Sequence, residues 1–331
     1  MMRLPRFRYF APTSVKEALR IKAGEGPDAA FVAGGTDLYP NMKRRQQTPK
    51  TVIGLSRVAA LRKLRAGKDG LSIGAAVPLS AIESHRRVRR EYPALVHAIA
   101  EISTPPLRNM GTLGGNVLLD TRCNYYDQNY EWRQAIDFCM KKDGAICWVA
   151  PGSPRCLAVQ SADSVPILIA LGARVSLVSP DGEREAALES LYANDGIAYL
   201  TKRPDELLTA IRVPAPGGWS ASYRKLRRRG AFDFPVLAVG AAVRREGERV
   251  VEARIVLGAV ASAPVRAARA EELLAGRPLD EASIAEAARA AAVPSRPMDN
   301  TDFSFLWRKE MTGKWVAAAL TALSEGSART A

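Results

Sequence analysis

Apolar positions in this chain recur first in short extended blocks, then at helical spacing, and finally in long alternating runs. Phe7-Arg8-Tyr9-Phe10 reads as a short strand punctuated by Pro12, and Ser14-Val15-Lys16-Glu17 reads as a capping box opening a helix. Residues 29–33 form an apolar strand that runs into Gly34-Gly35-Thr36-Asp37, and 51–55 form the next strand. This order predicts a βαβ-like module whose glycine loop lies at a strand's carboxyl end. Residues 70–75 alternate as a strand, and Ser80-Ala81-Ile82-Glu83 makes a second capping box. Leu95, Val96, Ile99 and Ile102 then predict a helix from about Pro93, stopped by Pro105-Pro106. A second glycine turn follows, Gly111-Thr112-Leu113-Gly114-Gly115-Asn116.

Further on, Asp163 caps a helix through Ile167, Leu168 and Leu171. Residues 174–178 form a strand that turns at Pro180-Asp181-Gly182, and 206–213 form another, closed by Pro214. From Ser220 the pattern becomes a meander, 220–226, 236–243 and 254–260, before alanine-rich helices at 280–291 and 303–323. A chain of 331 residues exceeds what one core supports. The pattern shift predicts an α+β protein with a first domain over 1–218, split into subdomains 1–57 and 58–218. The first subdomain is the small βαβ unit and the second a mixed or antiparallel sheet with helices. Residues 219–331 form a C-terminal domain of antiparallel sheet plus helices.

The formal net charge of +14 is dispersed over Lys43-Arg44-Arg45, Arg86-Arg87 with Arg89-Arg90, Lys141-Lys142, and Arg224-Lys225 with Arg227-Arg228-Arg229. No nucleic-acid motif accompanies these runs, so they read as solvated surface or as a field that steers an acidic protein partner. No run approaches the ~18 apolar residues of a membrane span, and Met1-Met2-Arg3-Leu4-Pro5 opens no secretory h-region. The expectation is a cytoplasmic protein that uses neither membrane nor nucleic acid. The two histidines, His85 and His97, support no hydrolytic or acid–base site.

The only four cysteines, Cys123, Cys139, Cys147 and Cys156, all fall within an apparent insertion over 121–160. In reducing surroundings such grouping favours a shared metal site over disulfides. Fifteen, seven and eight residues separate successive cysteines. Those gaps hold no CxxC knuckle and match no ferredoxin run, so spacing leaves zinc and iron–sulfur both open. The two glycine turns carry a different chemistry: glycine backbones let N–H groups approach phosphate oxygens, with Thr36, Thr112 and Asn116 beside them. Neither turn is a P-loop or GxGxxG. As a pair, one from each subdomain, they could grip the two phosphates of one dinucleotide.

Ala33-Gly34-Gly35-Thr36-Asp37-Leu38, then Thr112-Leu113-Gly114-Gly115-Asn116, then Ser161-Ala162-Asp163 resemble the FAD-binding subunit of the molybdenum hydroxylase (xanthine dehydrogenase) family. Arg203-Pro204-Asp205-Glu206-Leu207-Leu208 and Tyr223-Arg224-Lys225 are similar too, so the resemblance spans nearly the whole chain. It implies that Phe31, Val32, Ala33, Gly34, Gly35, Thr36 and Asp37, with Gly111, Thr112, Leu113, Gly114, Gly115 and Asn116, hold the FAD pyrophosphate. It also places Asp163 on flavin or ribityl hydroxyls, Leu208 and Ile102 as apolar contacts, and Lys225 near the ring system. In the absence of function, Asp163 is a plain helix cap and Lys225 a solvated charge.

Most members of that family have no cysteine window at this point. The text Thr121-Arg122-Cys123-Asn124-Tyr125-Tyr126, Phe138-Cys139-Met140-Lys141-Lys142-Asp143-Gly144 and Pro151-Gly152-Ser153-Pro154-Arg155-Cys156 resembles the cluster-bearing loop of the 4-hydroxybenzoyl-CoA reductases. Periplasmic aldehyde oxidoreductases also carry a cluster loop, with a less similar spacing. The resemblance implies a 4Fe-4S cluster on the four cysteines. It implies partner molybdenum-cofactor and 2Fe-2S subunits in a heterotrimer, itself open to dimerisation. Ferredoxin would be the electron donor for reductive dehydroxylation of 4-hydroxybenzoyl-CoA to benzoyl-CoA. Two rivals stand beside this reading: an oxidising molybdenum hydroxylase for a purine, aldehyde or other aromatic CoA ester, and a zinc-stabilised nucleic-acid-binding protein.

Overall fold

The computed structural model describes residues 3–328; Met1-Met2 of the amino-terminal stretch and the last three residues of the 219–331 unit lie outside them. The chain begins with β1 (Arg8–Phe10), α1 (Val15–Glu25), β2 (Ala29–Val32), α2 (Leu38–Lys43) and β3 (Thr51–Gly54). The Ser14 hydroxyl caps α1 by accepting from the Glu17 N–H at 3.2 Å. Glu17 answers to Thr13 rather than to Ser14, accepting its N–H at 2.8 Å, so the box closes one residue early. All three strands are parallel in the order β1-β3-β2. Every residue of β3 is buried, as a central parallel strand covered on both faces requires.

The second unit contains β4 (Leu64–Gly67), β5 (Gly70–Gly74), and the helices α3 (Leu79–Ser84), α4 (Arg86–Glu91), α5 (Pro93–Ala100), α6 (Pro105–Arg108), α7 (Leu113–Val117) and α8 (Tyr130–Ala135). It continues with α9 (Ser164–Ala170), β6 (Arg174–Ser179), β7 (Gly182–Ala187) and β8 (Leu207–Pro214). Its five-stranded sheet runs β4-β5-β8-β6-β7 and is antiparallel throughout. Two local expectations fail here. Ser80 caps nothing, because α3 begins one residue before it, behind Pro78. Pro105-Pro106 does not stop α5, which ends at Ala100; the prolines sit in the first turn of α6, where a missing N–H costs nothing.

Helix α9 has all seven residues buried, as a helix enclosed on every side requires. It is the joint between the two domains. Glycines in the C-terminal sheet make room for it: a Cβ on Gly240 would lie 2.5 Å from the Pro166 carbonyl carbon, and one on Gly258 2.6 Å from the Pro166 ring. That sheet comprises β9 (Trp219–Leu226), β10 (Leu237–Glu246), β11 (Arg249–Gly258) and β12 (Val265–Arg266), in the order β12-β11-β10-β9. Helices α10 (Ala268–Leu274), α11 (Glu281–Ala292) and α12 (Phe305–Ala328) cover its other face and share a core with it. The result is the expected α+β architecture. Among the described residues no helix is long and apolar enough to cross a membrane.

Candidate functional site

Where β2 ends, the chain must reverse between two packed units, and glycine alone fits. Gly35 has φ +71°, and a Cβ there would run into the Tyr39 ring at 2.4 Å. A Cβ on Gly34 would lie 1.8 Å from the Met110 carbonyl oxygen, so this loop lies directly on the second glycine turn. Among the described residues, none accepts a hydrogen bond from the N–H of Gly34, Gly35 or Thr36. These three residues line a cleft of about 440 Å³ between the two subdomains, with one wall from the C-terminal domain.

The second turn is built differently from what its glycines suggest. Its N–H groups are mostly used inside the protein: Gly111 donates to Leu107 O at 2.7 Å, Leu113 to Val77 O at 3.2 Å, and Gly114 to Ala75 O at 2.9 Å. The Gly115 N–H meets the Thr112 hydroxyl at 3.1 Å. Gly114 is there for packing, since its Cβ would strike Ala75 O at 2.6 Å. Asn116 accepts from the Ser164 hydroxyl at 2.6 Å and pins the turn to α9.

Residues 31–37, Ile102, Gly111, Thr112, Gly114, Gly115, Asn116, Asp163 and Leu208 all line the cleft. Leu208 gains its place beside Leu207 through a β-bulge at Thr209, opposite the Ser176/Leu177 step. Leu113 and Lys225 are not brought to the cleft. Leu113 is fully buried in the core beneath it. Lys225, far from being a solvated charge, has a 1% exposed side chain that pairs with Asp163 at 2.8 Å. It also donates to the main-chain oxygens of Glu101 and Asp233, each at 2.8 Å. Asp163 makes no cap bond to α9; its carboxylate accepts from Lys225 and from the Tyr223 hydroxyl at 3.0 Å. Burial pushes the Asp163 carboxyl up to about 6, with Lys225 opposing.

Several cleft residues carry no signal in the sequence. Phe232, at φ +69°, and Phe234 arrive from the loop after β9, which hydrogen-bonds to Ser103 O through the Phe232 N–H at 3.1 Å. Arg122 lies over the Phe234 ring at 3.9 Å and pairs with Asp37. Burial raises the Asp37 carboxyl above its usual range, and Arg122 pulls it back. Tyr199 and Lys202 come from the connection before β8.

The cysteine segment leaves the cleft wall directly. Asp120 and Arg122 line the cleft, and Cys123 is the next residue. Arg122 and Val159 exchange both main-chain hydrogen bonds, at 2.8 and 2.7 Å, closing the segment at its base. All four cysteines are free and buried, and Cys123, Cys139 and Cys156 share one small core with Tyr126 and Ala158. Burial pushes the Cys123 thiol up to about 12, helped by the Cys139, Cys156 and Cys147 sulfurs. The Ala158 N–H points at the Cys156 sulfur at 3.4 Å, and a Cβ on Gly196 would meet that sulfur at 2.6 Å. Among the described residues no three of His, Cys, Asp and Glu are gathered closely enough to hold a single metal ion; the four thiols form a looser nest. Lys141 stands between nest and cleft. It donates to Asp120 at 2.8 Å and lies 5.0 and 5.6 Å from the Tyr126 and Tyr199 rings.

Fold and cleft together define a two-domain α+β protein with an open cleft between the subdomains of its first domain. Residues 5–216 match the family model of the FAD binding domain in molybdopterin dehydrogenase, and 221–323 match that of the CO dehydrogenase flavoprotein C-terminal domain. The chain therefore belongs to the FAD-binding subunits of the molybdenum hydroxylase family and is an oxidoreductase subunit. It is 32% identical to the aldehyde oxidoreductase FAD-binding subunit PaoB of Escherichia coli (strain K12), over 77% of this chain and 81% of that one. It is 28% identical to the carbon monoxide dehydrogenase medium chain of Hydrogenophaga pseudoflava, over 96% and 97% of the two chains. A solved carbon monoxide dehydrogenase from that organism, lacking the Mo-pyranopterin moiety, superposes with a TM-score of 0.80 at 28% identity, covering 97% and 98%. This assignment displaces the zinc-stabilised nucleic-acid-binding alternative.

Proposed function

We propose that this subunit passes electrons between a 4Fe-4S cluster on Cys123, Cys139, Cys147 and Cys156 and FAD in the cleft. The observation that carries the reading is the shared wall: Asp120 and Arg122 line the cleft while the adjacent Cys123 enters the nest. Bound FAD supplies the exchange of electrons between carriers. The chain's own residues do the rest. The free N–H groups of Gly34, Gly35 and Thr36 take the pyrophosphate, and the second turn fixes their position by contact at Met110. Leu208 and Ile102 supply apolar walls, and Lys225 holds Asp163 in place from beneath rather than touching the ring. Buried sulfurs with N–H neighbours suit a cluster whose potential depends on hydrogen bonds and exposure.

In this reading the subunit works in the cytoplasm within a complex holding molybdenum-cofactor and 2Fe-2S subunits. The text of the cysteine loop favours a 4-hydroxybenzoyl-CoA reductase, with ferredoxin feeding the cluster and the basic surface serving as its docking field. The similarity to the E. coli aldehyde oxidoreductase subunit favours a second reading, oxidation of an aldehyde. Anaerobic purification with assays for flavin, iron and acid-labile sulfide tests the cofactors; zinc without sulfide sinks the cluster. Assaying the complex on 4-hydroxybenzoyl-CoA with a low-potential reductant, and on aldehydes with an oxidant, separates the two readings. Reduction by ferredoxin should slow as ionic strength rises, and a rate indifferent to salt removes the docking field.

A further inference from the structure

Among the described residues two arginines are fully buried, Arg133 and Arg308, and they differ in what they bond to. Arg308 spends its guanidinium on main-chain oxygens, donating to Val236 at 3.0 Å, Met298 at 2.9 Å and Ala259 at 2.6 Å. Arg133 spends none of its own: Nε, Nη1 and Nη2 are all buried without a hydrogen-bond partner among the described residues. Among the described residues its one ion-pair contact is Asp143 at 3.9 Å, a half-exposed carboxylate. The Tyr130 and Phe138 rings lie 6.0 and 5.8 Å away. A guanidinium keeps its charge in proteins, and burying it without acceptors is strongly unfavourable unless an anion lies close by.

The surroundings of Arg133 say where that anion belongs. Its main-chain oxygen accepts from the Phe138 N–H at 2.6 Å, and Phe138 directly precedes Cys139. Asp143 belongs to the turn in which Lys142 and Gly144 both donate to the Cys139 oxygen, at 2.8 and 3.1 Å. Tyr126, which shares the core of the nest with Cys123, Cys139 and Cys156, has Arg133 among the charges acting on its hydroxyl. This cation, without a hydrogen bond and with one long ion-pair contact, thus sits inside the segment that gathers the thiols.

We propose that Arg133 is the built-in counter-cation of the four-cysteine nest, holding a polyanionic iron–sulfur cluster there and raising its reduction potential. The inference rests on the cysteines being cluster ligands. A cubane on four thiolates is a dianion and gains one more negative charge when it accepts an electron from a reductant such as dithionite. No proton needs to move, because Arg133 stays charged in both states. A fixed buried cation stabilises the more negative state more, and net charge and burial are among the levers that set such potentials.

The test uses the full chain purified anaerobically, as wild type, Arg133→Met and Arg133→Lys. Iron, acid-labile sulfide and flavin are assayed, and the cluster is titrated with dithionite under paramagnetic-resonance detection. Arg133→Met should lower the reduced-to-oxidised cluster ratio at least tenfold at a fixed potential, a shift of about 59 mV for a one-electron couple. Arg133→Lys should restore most of it. Loss of the cluster in Arg133→Met, with flavin kept and the cluster retained in Arg133→Lys, supports the same conclusion. An unchanged ratio in Arg133→Met overturns the proposal alone. So does loss of the cluster from both variants with flavin kept, because shape and not charge would then be at work. Wild-type protein without iron and sulfide fails earlier, at the cluster reading itself.

Discussion

Replacing Gly34 with alanine puts a methyl group where the Met110 carbonyl already sits. The new Cβ would lie 1.8 Å from the Met110 oxygen, 2.5 Å from its carbonyl carbon and 3.0 Å from the Gly111 nitrogen. Ordinary contact begins near ~3.5 Å, so the two loops must part by roughly 1.7 Å. Both partners are main chain, and no rotamer change relieves the overlap. An N–H held at ~2.9 Å from a phosphate oxygen would be carried beyond hydrogen-bond reach by such a movement. A hydrogen bond to a charged group contributes about 1.5–3 kcal/mol, so losing one weakens FAD binding by about tenfold to a hundredfold. The assay is titration of flavin-stripped protein with FAD, followed by flavin fluorescence, with thermal unfolding of the stripped protein run alongside. Gly24→Ala, in α1 with nothing within 4 Å of its new Cβ, is the control. It should leave FAD affinity alone and add about 0.5–1 kcal/mol of stability. An affinity for Gly34→Ala within about threefold of wild type, when one lost contact is worth at least tenfold, would refute the packing argument.

Two further outcomes follow from the charges and thiols. Lys225→Met leaves Asp163 buried with only Tyr223, and should cost about 3–5 kcal/mol at pH 8 by urea unfolding. The folded pKa of Asp163 is raised to about 6 from an ordinary 3.8, so the folded state takes up its proton first as pH falls. Stability tied to this group therefore rises on acidification through pH 6, and the Lys225→Met penalty should shrink at pH 5; equal penalties at both pH values contradict the pairing. Cys123→Ser should abolish acid-labile sulfide while leaving flavin content at the wild-type level, because the nest lies outside the cleft. Loss of both cofactors together would mean that the nest supports the cleft mechanically.

What the chain order revealed, and what it hid, divides along a physical line. Features with a local cause were legible. Ser14 is followed by a helix because its hydroxyl satisfies a free N–H, and the first glycine loop is a loop because only glycine fits beside Met110. β7 was missed because its Gly-Glu-Arg-Glu-Ala-Ala text has no apolar alternation; it is an exposed edge strand paired on one side only. Features set by distant partners were misread or unseen. Lys225 lies in a basic run and looks solvated, yet a carboxylate sixty-two positions earlier buries it, and Asp163 looks like a cap until that lysine takes its oxygens. The donors of the second glycine turn look free until Ala75, Val77 and Leu107 claim them. Phe232, Phe234 and Tyr199 reach the cleft only through the tertiary path of their loops.

The step from Asp120 and Arg122 to Cys123 also fixes a length. Neighbouring Cα atoms in a trans chain lie about 3.8 Å apart, whatever the surrounding loops do. A carrier on the Cys123 sulfur would keep its separation from the cleft through domain breathing and subunit exchange alike, since a peptide bond and not a docked surface spans the gap. The hydrogen-bonded pair of Arg122 and Val159 closes the segment at its base, and Lys141 ties it back to Asp120 in the cleft wall. The spacing between thiol segment and cleft is therefore written into the covalent chain, not into the way two surfaces happen to meet.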